Sequence, residues 1–125
     1  MSEQAKVLII DDDHFILKMT TLMLEKSGYD VRVADNWRYG MELCMEWHPD
    51  VVLLDLMLPE RSGWDILDEI KAKKEYTVPP ILIFTATDTP SMDEEAKQHG
   101  ALGLIQKPFG KTQLIDIIEK ALSSR

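Results

Sequence analysis

The stretch VLIIDDD, residues 7–13, places four consecutive apolar residues directly before three carboxylates. An unbroken apolar run of this length is typical of a strand that is covered on both faces of a sheet. The same pattern returns in VVLLD at 51–55 and in ILIFT at 81–85. Weaker strand patterns cover 30–34 and 102–105, so the sequence predicts five strands.

Segments with helical periodicity separate these strands. The first has an apolar stripe and then Gly28, which suits the residue after a helix end. The stripe expected to face the core is Ile16, Met19, Thr20, Met23 and Leu24. Four further helices are predicted over 37–47, after an Asn36 cap, and over 64–73, 91–99 and 111–122.

Regular alternation of strands and helices decides the fold class. Buried strands joined by amphipathic helices predict an α/β fold, with a doubly wound five-stranded parallel sheet and helices on both faces. Five strands suit the flavodoxin-like order 2-1-3-4-5. The length of 125 residues suits one domain, expected to span residues 1–125.

Composition and charge exclude several classes of function. The formal net charge of −8 disfavours direct binding to nucleic acid, which depends on clustered Lys and Arg. No apolar run approaches the ~20 residues that a membrane span needs, and the N-terminus lacks a signal-like pattern. A cytoplasmic protein without membrane contact is therefore expected. The single cysteine, Cys44, falls in the second helix and is expected to be a packing residue.

Polar residues follow four of the five predicted strands. In a parallel sheet the carboxyl ends of the strands share one edge, and ligands bind there where the strand order reverses. The residues brought to that edge are Asp11, Asp12, Asp13, Asp55, Thr85 and Lys107. Asp13 is also well placed to cap the first helix, and no further role is expected for it.

A cation is needed beside these carboxylates. Two unit charges ~4 Å apart repel by roughly 4 kcal/mol at an effective dielectric near 20. A hard ion such as Mg²⁺, held by a few carboxylates and keeping positions for water and phosphate oxygens, offsets that repulsion. Lys107 supplies a second positive charge on a flexible stem.

Four motifs resemble those of bacterial response-regulator receiver domains, the CheY-like domains of two-component signalling. They are IIDDDH at 9–14, LLDLMLPERSGWDIL at 53–67, IFTAT at 83–87 and GALGLIQKPF at 100–109. Each motif alone is weak, but their order and spacing together are specific. The resemblance runs from end to end of the chain.

The resemblance implies a role for each residue at the predicted edge. Asp55 looks like the acceptor of a phosphoryl group, in a reaction that depends on Mg²⁺. Asp11 and Asp12 look like the acidic pair that binds the metal together with Asp55 and the backbone carbonyl of Met57. The residues expected to grip the phosphoryl group or to leave room for its donor are Thr85, Ala86 and Lys107. A cis peptide bond is expected between Lys107 and Pro108.

The resemblance also implies partners. No G-x-x-x-x-G-K-[S/T] nucleotide loop is present, so the donor is expected to be the phosphohistidine of another protein or a small acyl phosphate. The expected protein donor is a sensor histidine kinase or a histidine phosphotransfer protein. Phe15, Lys18 and Leu22 on the outer side of the first helix, together with Phe109, form the predicted docking surface; scattered surface hydrophobes are the alternative. The downstream partner or effector domain is not specified, and a dimer that forms on phosphorylation is open.

One position departs from the family pattern. Receivers often carry Tyr or Phe three residues before the lysine, where this chain has Leu104. Leucine has no hydroxyl and a smaller body, so the sequence predicts that the response to phosphorylation spreads through the loop after the fourth strand and the fourth helix. The segment 88–93, which contains Pro90, is expected to move.

Three alternatives compete with a working phosphoacceptor. The first is a docking module of the same family that never accepts phosphate. The second is a phosphohydrolase, which needs an acid two residues after its nucleophile, where this chain has Met57. The third is a flavin-binding module, in which the three carboxylates after the first strand would repel the phosphate of the flavin. A regulatory acceptor, not an enzyme with its own turnover, is therefore expected.

Overall fold

The computed structural model describes residues 4–73, 76–86 and 90–124. Within these ranges, strands and helices alternate as predicted. The strands are β1 (Lys6–Ile10), β2 (Asp30–Ala34), β3 (Val51–Asp55), β4 (Ile81–Thr85) and β5 (Gly103–Gln106). The helices are α1 (His14–Lys26), α2 (Trp37–Trp47), α3 (Gly63–Lys71), α4 (Pro90–His99) and α5 (Lys111–Ser123).

The strands form one parallel sheet in the order β2-β1-β3-β4-β5, which confirms the predicted fold class. β1 has β2 on one side and β3 on the other, so the chain reverses its direction of winding there. Such a point opens a crevice above the carboxyl ends of β1 and β3. Asp11, Asp12 and Asp55 lie at these two strand ends, and Thr85 and Lys107 lie at the ends of β4 and β5.

Two apolar layers enclose the sheet. Side chains of β1 and β3 alternate between a layer beneath α2 and α3 and a layer beneath α1 and α5. Every residue of β3 and β4 is buried, which accounts for their unbroken apolar sequences. β2 lies at the edge and is mostly exposed, which explains its weaker pattern.

Side-chain caps set where three helices begin. Asp13 accepts from the backbone N–H groups of Phe15 and Ile16, and Asn36 caps α2 through the N–H of Tyr39. Ser62 caps α3, so that helix starts at Gly63 and not at the predicted residue 64.

The bounds of α2 match the prediction, whereas a few other helix ends differ from it by one or two residues. α3 ends at Lys71, two residues early. α4 starts at Pro90, one residue early, because proline fits the first turn of a helix. Gly28 has a φ of 92°, as expected for a glycine just after the C-cap of α1.

The predicted inner face of α1 is wrong at Met19. Leu17, Thr20 and Leu24 are the buried residues of this helix, whereas the Met19 side chain is 38% exposed. This helix carries apolar residues on more than one face, so its sequence is compatible with two choices of the face that meets the sheet. Packing against the sheet selects the face that contains Leu17. The outward positions of Phe15 and Leu22 are as predicted.

No helix in the described ranges combines the length and the apolar character that a membrane span requires.

Candidate functional site

The strand ends of the site are tied together by backbone hydrogen bonds. The Asp11 N–H donates to the Ala34 carbonyl at 3.1 Å. On the other side of the crevice, the Lys107 N–H donates to the Thr85 carbonyl at 2.8 Å. These bonds extend the ladder of the sheet by one step beyond the strands, so the functional side chains start from fixed backbone positions.

Asp11 is completely buried and both of its carboxylate oxygens are engaged. Oδ2 lies 2.6 Å from the Lys107 Nζ, and Oδ1 accepts the Asp13 N–H at 2.9 Å. A buried charge needs a partner, and this ion pair provides one. Asp13 itself caps α1, as expected, while Asp12 is exposed at the mouth of the crevice.

Asp55 ends β3 and is only 5% exposed. Its Oδ1 accepts the Met57 N–H at 3.1 Å and lies 3.6 Å from the Lys107 Nζ. Burial, reinforced by the neighbouring Asp11 charge, raises the pKa of Asp55 to about 6, against the lowering effect of the Met57 N–H and Lys107. An additional cation beside Asp55 would therefore stabilise its ionised form.

Asp11, Asp12 and Asp55 form one acidic cluster. Each contributes a carboxylate oxygen, and these oxygens all lie within 4.8 Å of one another. An all-oxygen donor set of this kind suits a hard cation such as Mg²⁺. The three predicted carboxylate ligands are thus brought together, and burial, reinforced by the Asp11 charge, raises the pKa of Asp55 although Lys107 lies beside it.

The loop between β3 and α3 carries Met57. A backbone bridge pairs Met57 with Ser62, and the Gly63 N–H donates to the Leu56 carbonyl at 2.8 Å. A Cβ atom at Gly63 would lie 2.7 Å from the Asp55 carbonyl oxygen, so only glycine permits this approach. The loop is therefore closed directly beside Asp55.

The remaining predicted site residues surround the same crevice. Thr85 ends β4 and is buried, while Ala86 after it is exposed. The first part of the predicted mobile segment, residues 88 and 89, lies outside the described residues. Lys107 and Pro108 are joined by a cis peptide bond, as the family resemblance implied.

Leu104 lies in β5 and is half-buried. It packs against the apolar layer beneath α2 and α3, and it lines a cavity of about 210 Å³ between α4 and β5. The predicted strand, 102–105, was placed one residue too early at both ends, since β5 runs from Gly103 to Gln106 and the exposed Leu102 precedes it.

The predicted docking residues extend into a larger apolar surface. Phe15 and Leu22 are 68% and 45% exposed, and Lys18 is also exposed, whereas Phe109 is half-buried against the Phe84 ring. A groove of about 510 Å³ runs between α1 and β2, lined by Lys18, Leu22 and two residues that sequence reasoning missed, Val33 and Tyr39. Of the seven large hydrophobic side chains exposed in the described ranges, Leu22, Val33 and Tyr39 line this groove, and Phe15 and Met19 are exposed on the same helix, α1. We call these five residues the α1–β2 surface.

Comparison with known proteins identifies the family. The model of the response regulator receiver domain matches residues 7–119. The chain belongs to the response regulator receiver domain family. Its structure is similar to the chemotaxis response regulator CheY4 of Vibrio cholerae, with 29% sequence identity and a TM-score of 0.89 over 96% of this chain and 100% of that one.

Two further receivers are similar to this one. A response regulator receiver domain protein from Clostridium thermocellum shares 30% identity and a TM-score of 0.83, over 96% of this chain and 95% of that one. NtrX from Brucella abortus shares 27% identity and a TM-score of 0.87, over 98% of this chain but 28% of that one. The fold of this chain therefore matches nearly the whole of the first of these chains and about a quarter of the second.

Proposed function

We propose that this receiver accepts a phosphoryl group on Asp55, in a reaction that depends on Mg²⁺, and thereby changes its binding to another protein. Family membership supports a role in two-component signalling. The observation that carries the finer proposal is the convergence of Asp11, Asp12, Asp55 and Lys107 on one crevice. A fold alone would not define the activity, whereas this arrangement of charges suits phosphoryl transfer.

Asp55 would act as the nucleophile. One of its carboxylate oxygens forms the new bond to phosphorus as the bond from phosphorus to the donor's imidazole nitrogen breaks. The bonding electron pair stays on that nitrogen, and a proton on the other ring nitrogen lets a neutral imidazole leave. Asp55 is ionised at neutral pH despite its raised pKa of about 6, so no general base is needed to activate it.

The acidic cluster would hold the metal. Asp12, Asp55 and the Met57 carbonyl are the proposed ligands, with Asp11 contributing directly or through water. Bound Mg²⁺ would supply positive charge to the carboxylates and to the phosphoryl oxygens. Asp11 also holds Lys107 in place through the 2.6 Å ion pair.

Lys107 and Thr85 would receive the phosphoryl oxygens. The Lys107 amine already lies 3.6 Å from Asp55, so little movement brings it to an oxygen of a group attached there. The Thr85 hydroxyl at the end of the adjacent strand β4 would donate to another oxygen. Ala86 offers only a methyl group, which leaves room for the donor.

The α1–β2 surface would dock the donor, a histidine kinase or a histidine phosphotransfer protein. His14 and Asp35 line the groove at the end of α1 that lies near the site, and their side chains are paired at 2.9 Å. An amphipathic helix bound along α1 would therefore reach towards Asp55. Concentration of exposed hydrophobic side chains on this one surface supports docking over scattered surface hydrophobes.

Intact-mass measurement tests the proposed activity. Incubation with acetyl phosphate and Mg²⁺ should add one phosphoryl group, which hydroxylamine removes. The Asp55→Asn variant should stay unlabelled, and Asp13→Asn is the matched control, because asparagine caps a helix as well as aspartate does. A wild-type protein that stays unlabelled under these conditions would instead be a docking module that works without phosphorylation.

The phosphohydrolase alternative makes a different prediction, which turnover of a phosphate ester tests. That reaction needs an acid two residues after the nucleophile, and here the thioether of Met57 projects into solvent with 73% of the residue exposed. Turnover of a generic phosphate ester at a steady rate would favour the phosphohydrolase. A single addition of phosphate without ester turnover is the expected result.

A further inference from the structure

Trp37, at the start of α2, contacts the outer side of the β3–α3 loop. Its indole N–H donates to the Glu60 Oε2 at 3.4 Å. The guanidinium carbon of Arg61 lies 4.8 Å from the centre of its ring, and that of Arg38 lies at 5.2 Å. Trp37 is itself half-buried and packs against the apolar layer beneath α2 and α3, so the contact joins the loop to the core.

The inner side of the same loop is fixed by its backbone. The Met57–Ser62 bridge and the Gly63–Leu56 hydrogen bond close its two ends. Glu60, at the apex, has a φ of 73°, a left-handed conformation that is uncommon and energetically costly for residues other than glycine. The apex therefore needs an anchor in addition to the closed ends.

Side chains supply that anchor. A cleft of about 360 Å³ separates much of the apex from the start of α2, and Trp37, Pro59 and Glu60 are among its lining residues. Trp37 spans this cleft. Arg61, stacked on the indole, also bonds the Glu69 carboxylate of α3 at 2.8 Å, so the loop is held between α2 and α3.

We infer that Trp37 is a positioning residue for the metal site, which fixes the loop that carries the Met57 carbonyl. The inference rests on the proposed function, because Met57 is a proposed Mg²⁺ ligand there. The indole contacts Glu60 and Arg61 of the loop and not the acidic cluster, so it would act on the fraction of time that the loop spends in the metal-binding conformation. When only a fraction of the molecules adopts the binding conformation, the apparent affinity for the ligand is reduced in proportion to that fraction.

Magnesium titration by calorimetry tests the inference on the intact chain. Loss of an outer-shell partner of a metal ligand typically weakens metal binding by about 10–100-fold, and Trp37, one step further out, should contribute about threefold to tenfold. We expect that loss in Trp37→Ala and a smaller one in Trp37→Phe, which keeps a ring but lacks the N–H donor. Arg61→Gln, which removes the stacked cation, should also weaken binding, and it serves if Trp37→Ala does not fold.

Trp64→Ala is the matched control. Trp64 is also a half-buried tryptophan at a helix start, but its ring stacks on His99 of α4 at 4.8 Å and not on the loop. Its Mg²⁺ affinity should stay within about twofold of the wild type. Raising the Mg²⁺ concentration should restore the labelling rate of Trp37→Ala, whereas Asp12→Asn, which loses a proposed ligand, should stay slow at the same concentration.

Hydrogen exchange without metal provides a second readout. The amides of Met57 and Gly63 should exchange faster in Trp37→Ala than in the wild type or in Trp64→Ala. Unchanged amide exchange together with unchanged Mg²⁺ affinity in the Trp37 variants would overturn the inference and leave the proposed function intact. Failure of the wild type itself to bind Mg²⁺ would overturn the proposed metal site, and with it the role of Trp37.

Discussion

The Lys107 Nζ lies 2.6 Å from the Asp11 Oδ2 and a full ångström further from the Asp55 Oδ1, at 3.6 Å. The lysine is therefore held by one carboxylate and remains within reach of the other. This arrangement keeps a positive charge next to the proposed acceptor without saturating it. A phosphoryl group on Asp55 would bring new oxygens to the amine, while Asp11 keeps the stem in place.

Replacing Lys107 by Met should slow labelling of Asp55 by acetyl phosphate. Loss of one preorganised donor to developing negative charge typically costs about 10²–10³-fold in rate, and we expect a loss of at least about tenfold here. Lys120→Met, at an exposed lysine of α5, is the control with the same change of charge. Equal labelling rates in the two variants would remove Lys107 from the reaction.

Asp55 should make the metal-free protein less stable at neutral pH than at acidic pH. Its pKa is raised from 3.8 to about 6 in the folded protein, so folding opposes its ionisation. The penalty is absent below the unfolded pKa, grows through the interval between the two values and is complete above about 6. At ~1.36 kcal/mol per pKa unit, its full size is on the order of 1–3 kcal/mol.

The Asp55→Asn variant isolates this effect. In the presence of a chelator it should unfold at a higher urea concentration than the wild type at pH 7.5, and the difference should shrink as the pH falls from 6 towards 4. Added Mg²⁺ should stabilise the wild type at pH 7.5, because it binds only the folded cluster. A wild type that is the more stable of the two at pH 7.5 without metal would contradict the raised pKa.

The docking surface predicts a selective defect. Phe15→Ala combined with Leu22→Ala should slow phosphoryl transfer from a phosphohistidine protein but leave labelling by acetyl phosphate unchanged, because a small donor needs no docking surface. Leu102→Ala is the matched control, since Leu102 is 48% exposed and Leu22 45%, but Leu102 precedes β5. If the double substitution leaves the rate of transfer from the phosphohistidine protein unchanged, Phe15 and Leu22 are scattered surface hydrophobes and not a docking surface.

The fold was predictable because parallel strands buried on both faces appear in a sequence as short unbroken apolar runs. The runs before Asp11, Asp55 and Thr85 are apolar throughout, and the strand ends they define place the polar residues on one edge. The inner face of α1 was less predictable, because that helix is apolar on more than one face, and only packing on the sheet selects Leu17 over Met19.

Contacts between distant loops were not predictable from local patterns. The Trp37 ring meets Arg61 across a gap of 24 positions in the chain. Trp37 belongs to the apolar stripe of α2, but that stripe does not reveal a contact with the distant loop. Val33 and Tyr39 were missed for a similar reason, since a groove between a helix and an edge strand depends on how the two elements pack. The residues proposed for the chemistry follow directly from the positions of the strand ends, whereas the contacts that hold the surrounding loops depend on tertiary packing.

The response to phosphorylation should spread through the β4–α4 connection more than through β5. Leu104 is already half-buried and packed against the apolar layer, so an inward turn would gain little. Hydrogen exchange with and without beryllofluoride, which mimics a phosphoryl group, should show altered protection in residues 86–99. The Asp55→Asn variant should show none, and changes confined to Leu104 and α5 would place the switch elsewhere.

Chemical mapping of the modified residue tests the central claim most directly. After incubation with acetyl phosphate and Mg²⁺, borohydride reduces an aspartyl phosphate to homoserine, and peptide mass spectrometry then locates the reduced residue. We predict homoserine at position 55 alone, and its disappearance when Mg²⁺ is chelated before the phosphodonor is added. Homoserine at position 11 or 12, or a labelled protein with an unreduced Asp55, would contradict the account.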